Sequence, residues 1–284
     1  MKELKDKVAV ITGGASGLGL AMARRFAARG MKLVLADVEE EALRKVETEL
    51  RKAGSAVVGI RTDVARAQDV ERLAEKTLAT FGAVHLLCNN AGVAPGGVVW
   101  ENTVGDWEWV LGVNVWGVIH GVRVFVPIML RQDTECHVVN TASVAGLLSV
   151  PYMGVYCVSK HAVVTLTECL YHDLAQRGSK IGVSLLCPAY VPTGIIDSER
   201  NRPALLRNAQ RTKTPEELAR DEAMRKAVTS GKVSADQVAE TVLKAVQDNR
   251  FYVFTHPKIK DAIRTRMEDI LLDRTPTDTS RPPR

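Results

Sequence analysis

A chain of 284 residues, 46% hydrophobic and 25% charged, has the size and composition of one large α/β domain or two small ones. Its net charge of +5 is concentrated in residues 200–232, where nine Lys/Arg stand against four acids with no aromatic residues between them, so a single-stranded nucleic-acid surface is not expected. The opening lacks the apolar core and cleavage site of a secretory signal, and no uninterrupted apolar run approaches the roughly 20 residues a membrane span needs. The five cysteines form no C-x-x-C pair, so the reading is a soluble cytoplasmic chain with no disulfide framework, no metal site and no membrane partner.

Short apolar, β-branched runs alternate with helix-length segments along the chain. Strands are expected at 8–12, 32–36, 56–61, 85–89, 137–141, 182–187 and 251–254. Most of these runs are continuously apolar, as in strands covered on both faces, and the alternation predicts a doubly wound, Rossmann-like parallel sheet in a single domain over residues 1–272. Ligands of such sheets lie at the carboxyl ends of the strands.

The first strand runs into "TGGASGLG", where Gly13, Gly17 and Gly19 permit a tight turn and close approach of backbone N–H groups to a pyrophosphate. The helix that follows presents unpaired N–H groups and a positive dipole end to the same anion. The second strand ends at Asp37, a carboxylate placed to accept hydrogen bonds from the ribose hydroxyls of NAD and to repel the 2′-phosphate of NADP. Ser16 stands in the turn where a phosphate-binding cation would otherwise sit, which also favours NAD. Asp37 is equally able to act as the N-cap of the next helix. Asp63 ends the third strand and faces the adenine side.

Ser143 closes the fifth strand, and Tyr156 and Lys160 are one turn apart on the helix after it. Taken alone, a tyrosine and a lysine at this spacing are ordinary helix decoration. Downstream of a dinucleotide cradle they are the parts of an alcohol oxidation: a proton leaves oxygen for the tyrosine while hydride leaves carbon for a nicotinamide. A nearby cation favours the phenolate, and Lys160 supplies one.

These motifs in this order, "TGGASGLG", "NNAG" at residues 89–92, Asn114 in "GVNVWG", Ser143 in "NTASVAG", and Tyr156 with Lys160, resemble the short-chain dehydrogenase/reductase family. The resemblance implies a catalytic set of Asn114, Ser143, Tyr156 and Lys160, with Asn114 holding a water in a proton relay from the lysine. It implies that Lys160 also contacts the ribose, and that Ser16, Leu18, Val64, Asn90, Ala91, Gly92, Pro188, Val191 and Thr193 join the glycines and acids at the cofactor. It further implies a homo-oligomer, tetramer or dimer. The chain departs from the family pattern after the sixth strand, where "CPAYVPTGI" has Ala189 in place of the usual glycine and Pro192 just before Thr193; this bears on Val191 and Thr193 as carboxamide contacts.

Residues 195–232 break the strand–helix rhythm and read as an insertion over the site. Their charge is read first as a solvated helical surface, and alternatively as a basic lid for an anionic group. Tyr152, Met153 and Trp100 are available to pack on an apolar substrate, whereas Trp107, Trp109 and Trp116 are expected in the core or an interface. Residues 273–284 read as a loose tail. The function expected is NAD-dependent interconversion of a secondary alcohol and a ketone on a hydrophobic body, aromatic ones included. The alternatives are an NADPH-dependent carbonyl or 3-oxoacyl-thioester reductase, and a catalytically silent binding protein on the same fold.

Overall fold

The computed structural model describes residues 1–209 and 212–279. Strands β1 (Val8–Thr12), β2 (Lys32–Asp37), β3 (Val57–Arg61), β4 (Leu86–Asn89), β5 (Cys136–Thr141), β6 (Ile181–Cys187) and β7 (Tyr252–Phe254) form one parallel sheet in the order β3-β2-β1-β4-β5-β6-β7. Each expected strand is present to within a residue at either end. Their apolar continuity has a direct cause, since every residue of β1 and β5 is buried. Ala9 and Ile11 face a core shared with α1 (Gly17–Ala27), α2 (Glu40–Lys52) and α8 (Ala235–Gln247). Val8 and Val10 face the opposite core, built with α3 (Ala67–Phe81), α5 (Gly117–Gln132) and α6 (Gly154–Gln176). Period-two alternation therefore feeds two apolar layers instead of one apolar and one wet face.

Strand order reverses between β1 and β4, which opens a crevice at their carboxyl ends. "NNAG" ties that point together. Asn89 donates to Asn140 on β5 (2.8 Å), while the backbone N–H of Asn90 and of Ala91 both donate to Thr12 Oγ1 (2.9 and 3.1 Å).

The fourth helical region is broken. A Thr103–Asp106 capping box starts α4 (Val104–Leu111), a π turn follows at Gly112–Trp116, and α5 continues from Gly117. By length and composition Val104–Gln132 is long and apolar enough to cross a membrane, with a mean hydropathy of 1.6. Arg123 and the acids of α4 interrupt any single apolar run within it. In the fold, Phe125, Val126 and Met129 of this stretch lie in the core beneath the sheet.

Between β6 and α8 the chain forms 3₁₀ turns at Gly194–Asn201 and Ala204–Leu206, then α7 (Pro215–Thr229). Its cations are engaged with acids: Arg200 with Glu39 (2.7 Å), Arg202 with Asp106 (2.7 Å), Arg225 with Asp197 (2.7 Å), and Lys213 with Asp221. Arg200 and Arg202 tether the start of the segment to the rest of the fold, while the pairs of Arg225 and Lys213 lie within it and are about half exposed, in keeping with a solvated helical surface; Arg211 lies outside the described residues. The segment expected to be a loose tail folds back through Thr277, whose N–H donates to the buried Asp269 (2.9 Å), and Thr279 reaches the central cleft. Residues 280–284 lie outside the described residues.

Candidate active site

The phosphate turn needs glycine for two separate reasons. Gly13 has φ +65°, and a Cβ on Gly19 would fall 2.0 Å from the carbonyl oxygen of Gly13, so no side chain fits there. Asp37 then fastens the turn to the end of β2: its Oδ2 accepts from Ala15 N–H (3.0 Å) and its Oδ1 from Glu39 N–H (3.1 Å). Asp37 is not the cap of α2, because that position falls to Glu39. Burial pushes the Asp37 carboxyl above the usual carboxylate range, against the opposing effect of the two N–H donors. Asp63 Oδ1 accepts from Ala65 N–H (3.0 Å), leaving Val64 on the wall of the same cleft.

At the other end, Ser143 follows β5 and starts a short 3₁₀ turn, accepting from Ala145 N–H (3.2 Å) and donating to Pro188 O (3.3 Å). Tyr156 and Lys160 project from the first two turns of α6. Lys160 Nζ lies 5.7 Å from the centroid of the Tyr156 ring and donates to Thr141 O (3.0 Å). Both side chains are buried, and burial dominates their acidity. It pushes Tyr156 up to about 12, offset in part by the hydrogen bond with Ser143, and pushes Lys160 down to about 8. Desolvation of the phenolate therefore dominates, and Tyr156 is not brought into the neutral range by its surroundings in the protein.

Asn114 sits in the π turn, 1% exposed. Its Oδ1 accepts from Val93 N–H (2.9 Å), and its Nδ2 donates to Val93 O (2.9 Å) and Ser159 Oγ (3.0 Å). A Cβ on Gly92 would meet Asn114 Oδ1 at 3.4 Å and Lys160 Nζ at 3.6 Å, so these two polar groups flank one bare stretch of backbone.

One cleft of about 890 Å³ joins the two ends. Gly13, Ser16, Gly17, Leu18, Asp37, Asp63 and Val64 line it, as do Asn90, Ala91 and Gly92. Ser143, Tyr156, Lys160, Pro188, Val191 and Thr193 line it as well, while Gly19 and Asn114 lie just behind its surface. Ala189 lets its N–H reach Thr255 Oγ1 (3.4 Å), which ties the loop after β6 to the end of β7. Beyond Tyr156 the wall is apolar, with Leu148, Val150, Met153, Met224 and Val228.

Of the three residues expected at the pocket, Trp100 is 83% exposed and the ring of Tyr152 lies beneath Arg220 (4.4 Å), so Met153 is the one that lines the cleft. Trp109, expected in the core, touches both environments: it is 3% exposed, contributes to the cleft wall, and lies under the guanidinium of Arg202 at 5.2 Å. Met224, Val228, His256 and Lys258 on the wall carry no motif, and only the fold brings them there.

Three comparisons agree with this geometry. The short chain dehydrogenase family model matches residues 7–204. A CLA biosynthesis dehydrogenase/reductase of Lactiplantibacillus plantarum is 37% identical over 278 residues, 97% of each chain. A C alpha-dehydrogenase of Sphingobium sp. strain SYK-6 is 34% identical over 272 residues, covering 95% of this chain and 87% of that one. A crystal structure of a short chain dehydrogenase/reductase from Burkholderia phymatum in complex with NAD superposes with a TM-score of 0.95 at 57% identity, over 98% of this chain and 99% of that one. With a matching family model, relatives aligned over almost their full length and a crevice at the strand-order reversal, the chain belongs to the short-chain dehydrogenase family and is an oxidoreductase.

Proposed function

We propose that the chain interconverts a secondary alcohol and a ketone on a hydrophobic body, with NAD as the hydride carrier and Tyr156 as the proton-transfer group. The observation that carries this reading is the meeting of Ser143, Tyr156 and Lys160 at one end of a cleft whose other end holds the Asp37 carboxylate. The residues present fit a dinucleotide: a turn without side chains at Gly13 and Gly17, the N-terminus of α1 for the pyrophosphate, and Asp37 for the ribose hydroxyls. Bound there, the nicotinamide supplies the hydride acceptor and a positive charge.

The protein's own residues supply the rest. Ser143 offers its hydroxyl to the substrate oxygen and holds it beside Tyr156, whose acidity it already strengthens. Tyr156 takes the alcohol proton on its phenolic oxygen in oxidation and returns one in reduction. Lys160 stabilises the phenolate as it forms and reaches the ribose. Asn114, its neighbour across Gly92, keeps the relay behind Lys160 connected to solvent through water. Val191 and Thr193 hold the carboxamide. The apolar wall of Leu148, Val150 and Met153 excludes water and selects a hydrophobic body. The exposed Trp116 (52%) and Val158 (48%), on neighbouring helical segments, support a homo-oligomer as the working form.

One observation favours the rival cofactor. Arg61 pairs in register with Asp37 across β2 and β3, is exposed, and lines the same cleft, so a cation stands near the position of a 2′-phosphate. Fluorescence titration with NADH and NADPH separates the two. NADH is expected to bind at least about tenfold tighter, worth about 1.4 kcal/mol, with the ratio narrowed by Asp37→Ala. Tighter NADPH binding by the wild type would replace the NAD reading with that of an NADPH-dependent carbonyl reductase.

A further inference from the structure

The first stretch of the segment over the cleft, residues 193–202, is fastened at both of its ends. At its start, the Thr193 side chain lies 3.3 Å from where a Cβ on Gly17 would stand, so the chain leaves β6 in contact with the phosphate turn. At its far end, the buried Arg202 pairs with Asp106 at 2.7 Å. Between these points, Gly194–Asn201 crosses to the opposite lip of the crevice and meets Glu39, two residues beyond Asp37. Arg200 Nη2 donates to Glu39 Oε1 at 2.7 Å, and Asn201 Nδ2 donates to the same oxygen at 2.8 Å. Arg200 Nη1 is bound back to its own turn, donating to Gly194 O (3.0 Å) and Asp197 O (2.9 Å), so the guanidinium is pre-set toward Glu39.

Glu39 has another use open to it and does not take it. It occupies the N-cap position of α2, yet its side chain makes no capping bond to that helix among the described residues and turns to the lid. Burial pushes its carboxyl up, but the bonds from Asn201 and Arg200 prevail and hold it below the usual carboxylate range. Asp37, Glu39, Thr193, Arg200 and Asn201 all line one cleft, so the crossing runs over the binding groove and not beside it.

We propose that Glu39 is a cofactor-retaining residue: through Arg200 and Asn201 it ties the lid across the adenosine-ribose end of the cleft, and the tie opens each time the dinucleotide leaves. This rests on the dinucleotide reading above. The pair is partly exposed, 40% on Arg200 and 31% on Glu39, and ion pairs of that kind are individually weak. The tie is accordingly strong enough to slow release and weak enough to break in every turnover, a gating role that belongs to lids.

Stopped-flow displacement of bound NADH tests the proposal. Glu39→Ala and Arg200→Met are each expected to raise the dissociation rate about three- to tenfold with little change in the association rate or in Tm, and Glu39→Gln less. The double variant is expected to release NADH no faster than Glu39→Ala, because that substitution already removes the contact Arg200→Met would remove, together with the one from Asn201. Added salt is expected to speed release from the wild type and to leave Glu39→Ala unaffected. Unchanged release from Glu39→Ala, or additive effects in the double variant, would overturn the tie. If the wild type itself does not bind NADH, the dinucleotide reading fails first; if it binds and the variants release it at the wild-type rate, only the tie fails.

Discussion

Tyr156→Phe is expected to lower kcat for alcohol oxidation by about 10³-fold, within the range of positioned acid–base groups, while NADH still binds within a few-fold of the wild type. The substitution removes one oxygen and leaves the ring packed among Ala145, Met153 and Cys157. Ser143 is not orphaned by the change, since its hydroxyl also donates to Pro188 O at 3.3 Å. What disappears is the atom that takes the proton, so the loss belongs to kcat and not to folding or cofactor binding. The pH dependence of the wild type follows from the same group. Burial pushes Tyr156 up to about 12, so its base form is scarce at neutral pH and grows with pH. Oxidation is therefore expected to quicken toward alkaline pH, and ketone reduction, which needs the protonated phenol, toward acid. A steady-state profile in both directions reads this; oxidation flat from pH 6 to pH 9, or a Tyr156→Phe variant with near wild-type kcat, speaks against a tyrosine base.

The second large effect separates activity from stability. Lys160→Met is expected to cost about 10²- to 10³-fold in kcat/KM while leaving Tm at pH 7 equal to or above that of the wild type. Lys160 is 3% exposed, and its amine donates to Thr141 O at 3.0 Å. Burial pulls it from an unfolded value near 10.5 to about 8 in the fold. The sign follows directly. The unfolded chain binds this proton more readily between pH 8 and 10.5, so the folded state loses stability as pH falls through that window, by up to roughly 3 kcal/mol, with no further loss below it. Methionine fills the same volume without a charge to desolvate. A fold optimised only for stability would not keep a lysine here; the proton transfer proposed at Tyr156 would account for it. Thermal denaturation at pH 7 and pH 10 together with steady-state kinetics measures both halves. A variant that loses Tm and activity in parallel would make Lys160 a structural residue.

Both expectations rest on residues visible in the sequence, for an identifiable reason. A strand buried on both faces shows as an unbroken apolar run, so β1, β2 and β4 to β6 could be bounded closely. A turn that must admit a backbone oxygen 2.0 Å from a would-be Cβ has to be glycine, which makes Gly19 legible without coordinates. Ser143 lies just after β5, and Tyr156 and Lys160 lie on α6, the next long element, so their order along the chain already implied their meeting.

What the sequence left unread depends on contacts between distant segments. Arg202 and Asp106 look like two unremarkable surface charges until the fold buries them against Trp109. The π turn at Asn114 carries no composition signal of its own, since its residues are ones an α-helix accepts equally. The acidity of the Tyr156–Lys160 pair was also beyond reach: spacing gives proximity, but the dominant effect is burial, which depends on everything packed around it. The apolar wall at Met224 and Val228 belongs to a helix whose polar composition pointed to solvent.

The reading of this chain as a working alcohol dehydrogenase is tested most directly by incubating it with NAD and a panel of secondary alcohols on apolar and aryl bodies, following the absorbance of the reduced cofactor. Reduction of NAD by at least one such alcohol, at least about tenfold faster than with NADP and abolished in Tyr156→Phe, is the expected result. A wild-type chain that binds NADH yet reduces no cofactor across the panel, and whose Tyr156→Phe variant is indistinguishable from it, would contradict the account and leave a protein that uses this fold only to bind.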